Sequence, residues 1–254
     1  MGKKLGRLEL VADNVRADVG NEWCIRKLSI RNPDAELKAA GKWTTVDDNN
    51  VTNLTYALDV NDAGKLLERF RFTHVLRIAK GHMDGDINWK GLPFSTNIPS
   101  LSDQFNLDMQ EGQFLKVDAG AAKLLGVLSL QSLPRRLTRD FRDVFSTCFT
   151  FDNVVGTATI AQGKVTTDNF RMRSVAATVL MSGSTDIAQE TQHLEVTVLP
   201  EINSGAASLV VLPINPVVGI GTFLAQLFLR EPLMRVFTHE YEITGPWTNP
   251  LVKK

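Results

Sequence analysis

Residues Phe149 to Pro200 read FTFDNVVGTATIAQGKVTTDNFRMRSVAATVLMSGSTDIAQETQHLEVTVLP, and this stretch decides the fold class. Apolar and polar residues alternate through most of it, with Gly, Asn or Asp at the breaks. A period of two describes half-buried strands, each with one apolar and one polar face. The same pattern fills most of the first 118 residues. LGRLELVA, EWCIRKLSIR, AELKAAGKW, NLTYALDV, THVLRIA, HMDGDINWKG, QFNLDMQ and QFLKVDA each alternate. In NLTYALDV, Leu54, Tyr56, Leu58 and Val60 point one way, Asn53, Thr55 and Asp59 the other. Asn32-Pro33, the DDNN run at 47–50, and the GLP and NIPS runs around 91–100 supply turns. One interruption, Asp62 to Phe70, reads as a short helix capped by Asn61 or Asp62.

So many one-faced strands with so few helices leave an apolar sheet face in need of a partner. About a dozen strands at ~4.8 Å spacing span roughly 55 Å, and sheets that wide curl, split or close. Curling with the apolar side inward makes a trough, and burial of acyl chains there yields about 0.8 kcal/mol per CH₂. A conventional closed core is the other outcome of the same pattern. The expected fold is therefore mostly β: a long, curled antiparallel sheet forming an open apolar groove, with a few short helices and a C-terminal apolar helical hairpin. Shared parity nominates Leu54, Tyr56, Leu58, Leu76, Ile78, Met83, Ile87, Phe105 and Leu107 as its lining.

Two blocks are expected, 1–118 with the groove strands and 119–254 with a helix, a basic loop, strands, an apolar hairpin at 202–231 and a final strand. Ala121 to Leu130 has helical composition, and Pro134 stops it. Arg135, Arg136, Arg139 and Arg142 follow, interleaved with Asp140 and Asp143. This run reads either as a solvated loop with local ion pairs or as guanidiniums at a groove rim, where Arg pairs phosphate bidentately. From Ile202 to Leu229 no side chain is charged. A spanning helix needs about 20 continuous apolar residues, and Pro213, Asn215 and Pro216 cut this stretch in two. Val217, Ile220, Leu224, Leu227 and Phe228 share a face at helical spacing. The hairpin packs on the sheet, plugs the groove end, or dips into a membrane.

Composition excludes other classes. Of 254 residues, 43% are hydrophobic and 22% charged, with Lys+Arg and Asp+Glu balanced at 28 each, which argues against a nucleic-acid partner held by bulk positive charge. Cys24 and Cys148 lie far apart and form no metal pattern. His82-Met-Asp84-Gly-Asp86-Ile-Asn88 opens like a calcium loop. However, Trp89 and Ser95 stand where that loop needs Gly and a bidentate Glu, so the carboxylates belong to a polar strand face. The four histidines are scattered and Gly219-Ile-Gly221 lacks the third glycine, so no catalytic group, cofactor or metal is assigned. MGKKLGRLEL has no apolar core or cleavage site and does not read as a signal peptide. An outer-membrane barrel would alternate too, but the aromatic complement is thin for its girdles.

The segments LLGVLSLQSLPRRLTRDFRDVF, GTATIAQGKVTTDNFRMRSVAATVLMSGSTDIAQETQHLEVTV, NPVVGIGTFLAQLFLREPL and YEITGPWTNPLV resemble the C-terminal end of the YhdP family, AsmA-like proteins of Gram-negative bacteria. EWCIRKLSIRNPDAELKAAGKW resembles the AsmA-type repeats that precede it. The resemblance implies a periplasmic, membrane-associated protein with an N-terminal inner-membrane anchor. Such a protein moves phospholipids to the outer membrane along a curled, apolar β-groove, as the TamB-related bridge-like lipid-transfer proteins do. Implied partners are phospholipid acyl chains, a membrane surface met by the C-terminal hairpin, and neighbouring AsmA-type repeats or envelope proteins. A structural or docking module of the envelope is the alternative function.

Overall fold

The alternating segments assemble into one antiparallel sheet in the computed structural model, which describes residues 5–16, 21–46, 49–93, 95, 97–115, 149–175, 177–200, 219–230 and 234–254. Thirteen strands are present among the described residues. The N-terminal half comprises β1 (Arg7–Arg16), β2 (Asn21–Arg31), β3 (Ala35–Val46), β4 (Asn49–Val60), β5 (Leu76–Arg77), β6 (Lys80–Lys90) and β7 (Ser102–Phe114). The C-terminal half comprises β8 (Phe149–Ala161), β9 (Lys164–Arg173), β10 (Ala177–Asp186), β11 (Thr191–Pro200), β12 (His239–Pro246) and β13 (Leu251–Lys253). Spatial order follows chain order from β1 to β13, except that β4 pairs with β6 and the two-residue β5 lies beside the end of β7. The path ends at β1 and β13, so the sheet is open.

Two strands differ from the sequence reading, for local hydrogen-bonding reasons. QFNLDMQ and the start of QFLKVDA, separable by alternation, lie in one strand, Ser102–Phe114, in which Glu111 takes φ 50°; residues 116–119 of the second segment lie outside the described residues. THVLRIA contributes only Leu76–Arg77, because Ile78 and Ala79 take left-handed φ values of 58° and 50°. Their backbone serves other neighbours: Ala79 N–H donates to Glu111 O at 3.1 Å, and Ala79 O accepts from Ala63 N–H at 2.8 Å.

Helix α1 (Ala63–Arg69) follows β4, and Asp62 is its N-cap, accepting from Lys65 N–H at 3.0 Å. Its last residue, Arg69, donates Nε–H to Asp34 Oδ2 at 2.5 Å, and Asp34 is 6% exposed. That buried ion pair fastens α1 to the β2–β3 turn. The turn itself is set by Asn32, whose Oδ1 accepts from the N–H groups of Asp34 and Ala35 at 2.9 Å each.

The main core lies on one sheet face. It runs from Val60 on β4 through Val154, Met172, Val179, Met181 and Val196 to Tyr241 and Ile243 on β12, with Leu58, Leu107 and Met109 packed against it. The other face of β10 and β11 is covered as well. Helix α2 (Ile220–Arg230) sets Leu227 against Leu180 and Leu199 there, and a short helix α3 (Met234–Phe237) leads into β12. Covering on both faces buries every residue from Ala177 to Met181, Thr178 included, and explains why Val179 to Met181 reads as a continuous apolar run instead of alternating.

Candidate functional site

Cross-strand register sorts the apolar face into rows running across the strands. Near one set of strand ends lie Trp23, Trp43, Thr52 and Trp89, each opposite the next. The second row is Ile25, Gly41, Leu54, Ile87, Asp103 and Ile160. Leu28, Ala39, Tyr56, Gly85, Phe105 and Ala158 form the third, and Ile30, Leu37, Leu58, Met83, Leu107 and Gly156 the fourth. Ala35, Val60, Gly81, Met109 and Val154 complete the array at the far ends.

Seven of the nine nominated lining residues therefore share one face: Leu54, Tyr56, Leu58, Met83, Ile87, Phe105 and Leu107. All seven are half-buried. Leu76 leaves the array and packs from β5 against Val75 and the core. Ile78 is 61% exposed on its left-handed turn and belongs to no row. Exposure is graded along the face: Leu8 and Leu10 on β1 are 56% and 48% exposed, whereas Met172 and Ile243 are fully buried.

One polar pair interrupts the apolar rows. Tyr56 donates its hydroxyl to Asp103 Oδ2 at 3.1 Å, while Asp103 Oδ1 is buried without a hydrogen-bond partner. Gly85 makes the contact feasible, because a Cβ there would stand 3.0 Å from Asp103 Oδ1. Burial is the leading cause that pushes both the phenol and the carboxyl of this pair up from their ordinary values. The folded chain thus holds the Asp103 proton more tightly than the unfolded chain. Ionising it costs stability as pH rises from the ordinary carboxylate range through the raised value, and the cost is complete above that value. Asp103→Asn keeps an acceptor for Tyr56. Its urea midpoint is expected to match wild type at acidic pH and to exceed it at pH 8; equal midpoints at both pH values would reject the account.

Asp84, Asp86 and Asn88 fall on the opposite, polar face. Asp84 Oδ2 accepts from Asn106 Nδ2 at 3.0 Å and Asp86 Oδ1 from the Thr55 hydroxyl at 2.5 Å. Among the described residues no three metal-ligating side chains converge. A hollow of about 1030 Å³ also opens on this polar side of β1–β7, bordered by Arg7, Lys27, Lys38, Asp84, Asp86 and Asn106. It is laced by ion pairs such as Lys27–Glu9 at 2.9 Å and Arg31–Glu36 at 2.5 Å. Its lining is mixed, with Leu28, Ala39 and Ala57 among the charged side chains, in contrast to the apolar trough expected from curling.

The tail residues are placed in part. Ile220, Leu224 and Phe228 pack with Leu227 around Leu180 and Leu199, on the side of β10–β11 away from the apolar rows. Val217 and the first half of the 202–231 hairpin lie outside the described residues, as do Arg135, Arg136, Arg139, Cys148 and the helix expected at 121–130. Among the described residues no helix is long and apolar enough to cross a membrane. Exposed apolar side chains remain on α2 and α3: Leu229 at 83%, Val236 at 74% and Phe237 at 47%.

The tryptophan row and Asp103 were missed by sequence reasoning. Their grouping depends on pairing between strands, and a bulge between Ile25 and Leu28 breaks the parity of β2.

No solved structure matches the chain. It is 28% identical over 254 residues to the "Intermembrane phospholipid transporter YhdP" of Escherichia coli (strain K12); the match takes in all of this chain and 20% of that protein, so the chain spans about a fifth of that relative's length. The model of the family described as "YhdP protein" matches residues 1–252, and the chain belongs to the YhdP family.

Proposed function

We propose that this chain is a lipid-bearing segment of an envelope protein that moves phospholipids between the inner and outer membranes, and that the apolar rows of β1–β8 are the surface on which acyl chains travel. The observation that carries this reading is the continuity of apolar residues across consecutive strands, from the exposed Leu10 through the half-buried Leu28, Tyr56 and Phe105 to Ala158. Apolar contact is non-directional, so a chain slides from one strand to the next without breaking hydrogen bonds, while each buried methylene contributes about 0.8 kcal/mol. The name of the similar E. coli protein supports the substrate class. In this reading the 1–118 block supplies the groove and the 119–254 block closes it, Arg135, Arg136 and Arg139 meet phosphate headgroups, and the hairpin touches a membrane through exposed side chains such as Leu229.

A second reading has its own support. β1 is a ten-residue edge strand at one end of the sheet, with Leu8 and Leu10 exposed. Such an edge pairs readily with another strand, which suits docking to a neighbouring AsmA-type repeat or envelope protein.

Native mass spectrometry of the purified chain tests the first reading. Bound phospholipid, released by organic extraction and identified by mass, is the expected result; a lipid-free chain after purification from membranes, and after incubation with phospholipid vesicles, rejects it.

A further inference from the structure

The apolar face is not uniform along its strands. At one end stand Trp23, Trp43, Thr52 and Trp89, and just inside them the Tyr56–Asp103 pair. Trp23 and Trp43 stack at 6.1 Å with planes 10° apart, and Trp23 is 37% exposed. Trp89 donates its indole N–H to Leu92 O at 3.0 Å, and Thr52 its hydroxyl to Gly91 O at 2.9 Å. The C-terminal half repeats the polarity: Thr185 and Gln192 pair at this end, and Trp247 donates to Thr185 Oγ1 at 2.9 Å and to Thr191 O at 3.2 Å. At the other end, on β4 to β9, the face is apolar: Val60, Ala63, Val154 and Met172 lie in one buried cluster with Leu58 and Met109 packed against it, and the cluster's one hydroxyl, that of Tyr241, lies away on β12.

A phospholipid is graded in the same way, from esters and phosphate to methylene. Resting on the lipid-bearing reading above, we propose that a bound glycerophospholipid lies along the strands, its glycerol and headgroup at the tryptophan end and its acyl chains toward the half-buried Leu58 and Met109. The reverse orientation would bring phosphate and ester oxygens against Leu58, Met83, Leu107 and Met109, side chains that donate no hydrogen bond, and would desolvate those oxygens without compensation. Indole rings, each with an apolar body and a polar N–H, favour the boundary between hydrocarbon and water. The length fits: Thr52 to Leu58 spans six residues of strand, about 20 Å, against roughly 15 Å for the hydrocarbon of one bilayer leaflet plus the glycerol. Lipids moving across the strands would then keep every headgroup on the same side, with the tryptophans as a rail.

The wild-type chain carries its own probe, because all four of its tryptophans lie at that end. The chain is incubated with phosphatidylcholine vesicles brominated either close to the ester or close to the chain terminus, re-isolated, and weighed intact to confirm bound lipid. Near-ester bromine is expected to quench tryptophan fluorescence at least roughly twofold more than terminal bromine, since quenching requires near contact with the indole. Equal or reversed quenching with lipid bound overturns the orientation and leaves the lipid-bearing reading standing. A chain that binds neither lipid overturns both.

Discussion

Ile87→Asp combined with Phe105→Asp is expected to reduce co-purified phospholipid at least tenfold while leaving the β-rich circular dichroism spectrum intact. Both side chains lie in the second and third apolar rows, on adjacent strands, and both are half-buried. Neither belongs to the fully buried cluster that holds β4 to β12 together, so the fold tolerates the change better than it would at Leu58 or Leu107, which pack against that cluster. An acyl chain crossing these rows would have to cover two carboxylates, at several kcal/mol each, more than the methylenes in contact there return. The matched control is Asn88→Asp with Gln110→Asp on the polar face, both exposed and with no carboxylate opposite, where no loss is expected. Native mass spectrometry reads both pairs, and undiminished lipid on the first would remove the apolar rows from the transport surface.

The second large effect concerns α2. Leu227 is 4% exposed, between Leu180 at 1% and Leu199 at 3%. Leu227→Asp should cost about 4 kcal/mol of stability, from lost packing plus a buried charge, read as a large drop in the urea midpoint. Leu229, 83% exposed on the same helix, is the opposite case: Leu229→Asp should change stability by less than about 0.5 kcal/mol. If α2 meets a membrane, it does so through this outer side, and Leu229→Asp should then weaken liposome binding without unfolding. A stable Leu227→Asp chain would overturn the packing of α2 as core.

Parity within a strand was the legible part of the fold. NLTYALDV, HMDGDINWK and QFNLDMQ each present the face that alternation assigns, because each lies in an unbroken ladder with one face toward the core. Parity failed where the backbone answered to something other than a ladder. At THVLRIA, the Ala79 N–H donates to Glu111 O and the Ala79 carbonyl accepts from Ala63 N–H, in a turn that no pattern of side chains announces. The seat of α2 left a trace that alternation alone could have found: Leu180 and Leu199 are apolar at positions whose parity is polar, as expected of strands covered on both sides. The tryptophan row left none. Trp23, Trp43 and Trp89 are separated by 20 and 46 positions, and only the register of β2, β3, β4 and β6 reveals that they are neighbours. Asp103 was equally hidden, since an acidic residue at an apolar-parity position gains meaning only once Tyr56 and Gly85 stand beside it.

The strand order described above makes the molecule close to one-dimensional. Because nearly every strand hydrogen-bonds only to the strands before and after it in the chain, the ladder part of its free energy approximates a sum of nearest-neighbour terms, as in repeat proteins. Growth by insertion of a hairpin would preserve which side every other residue faces, since an antiparallel pair restores the direction of the chain. Loss of a hairpin would be equally local. An architecture of this kind is set in length by the number of its strands and in breadth by their length, two dimensions that can change independently of each other.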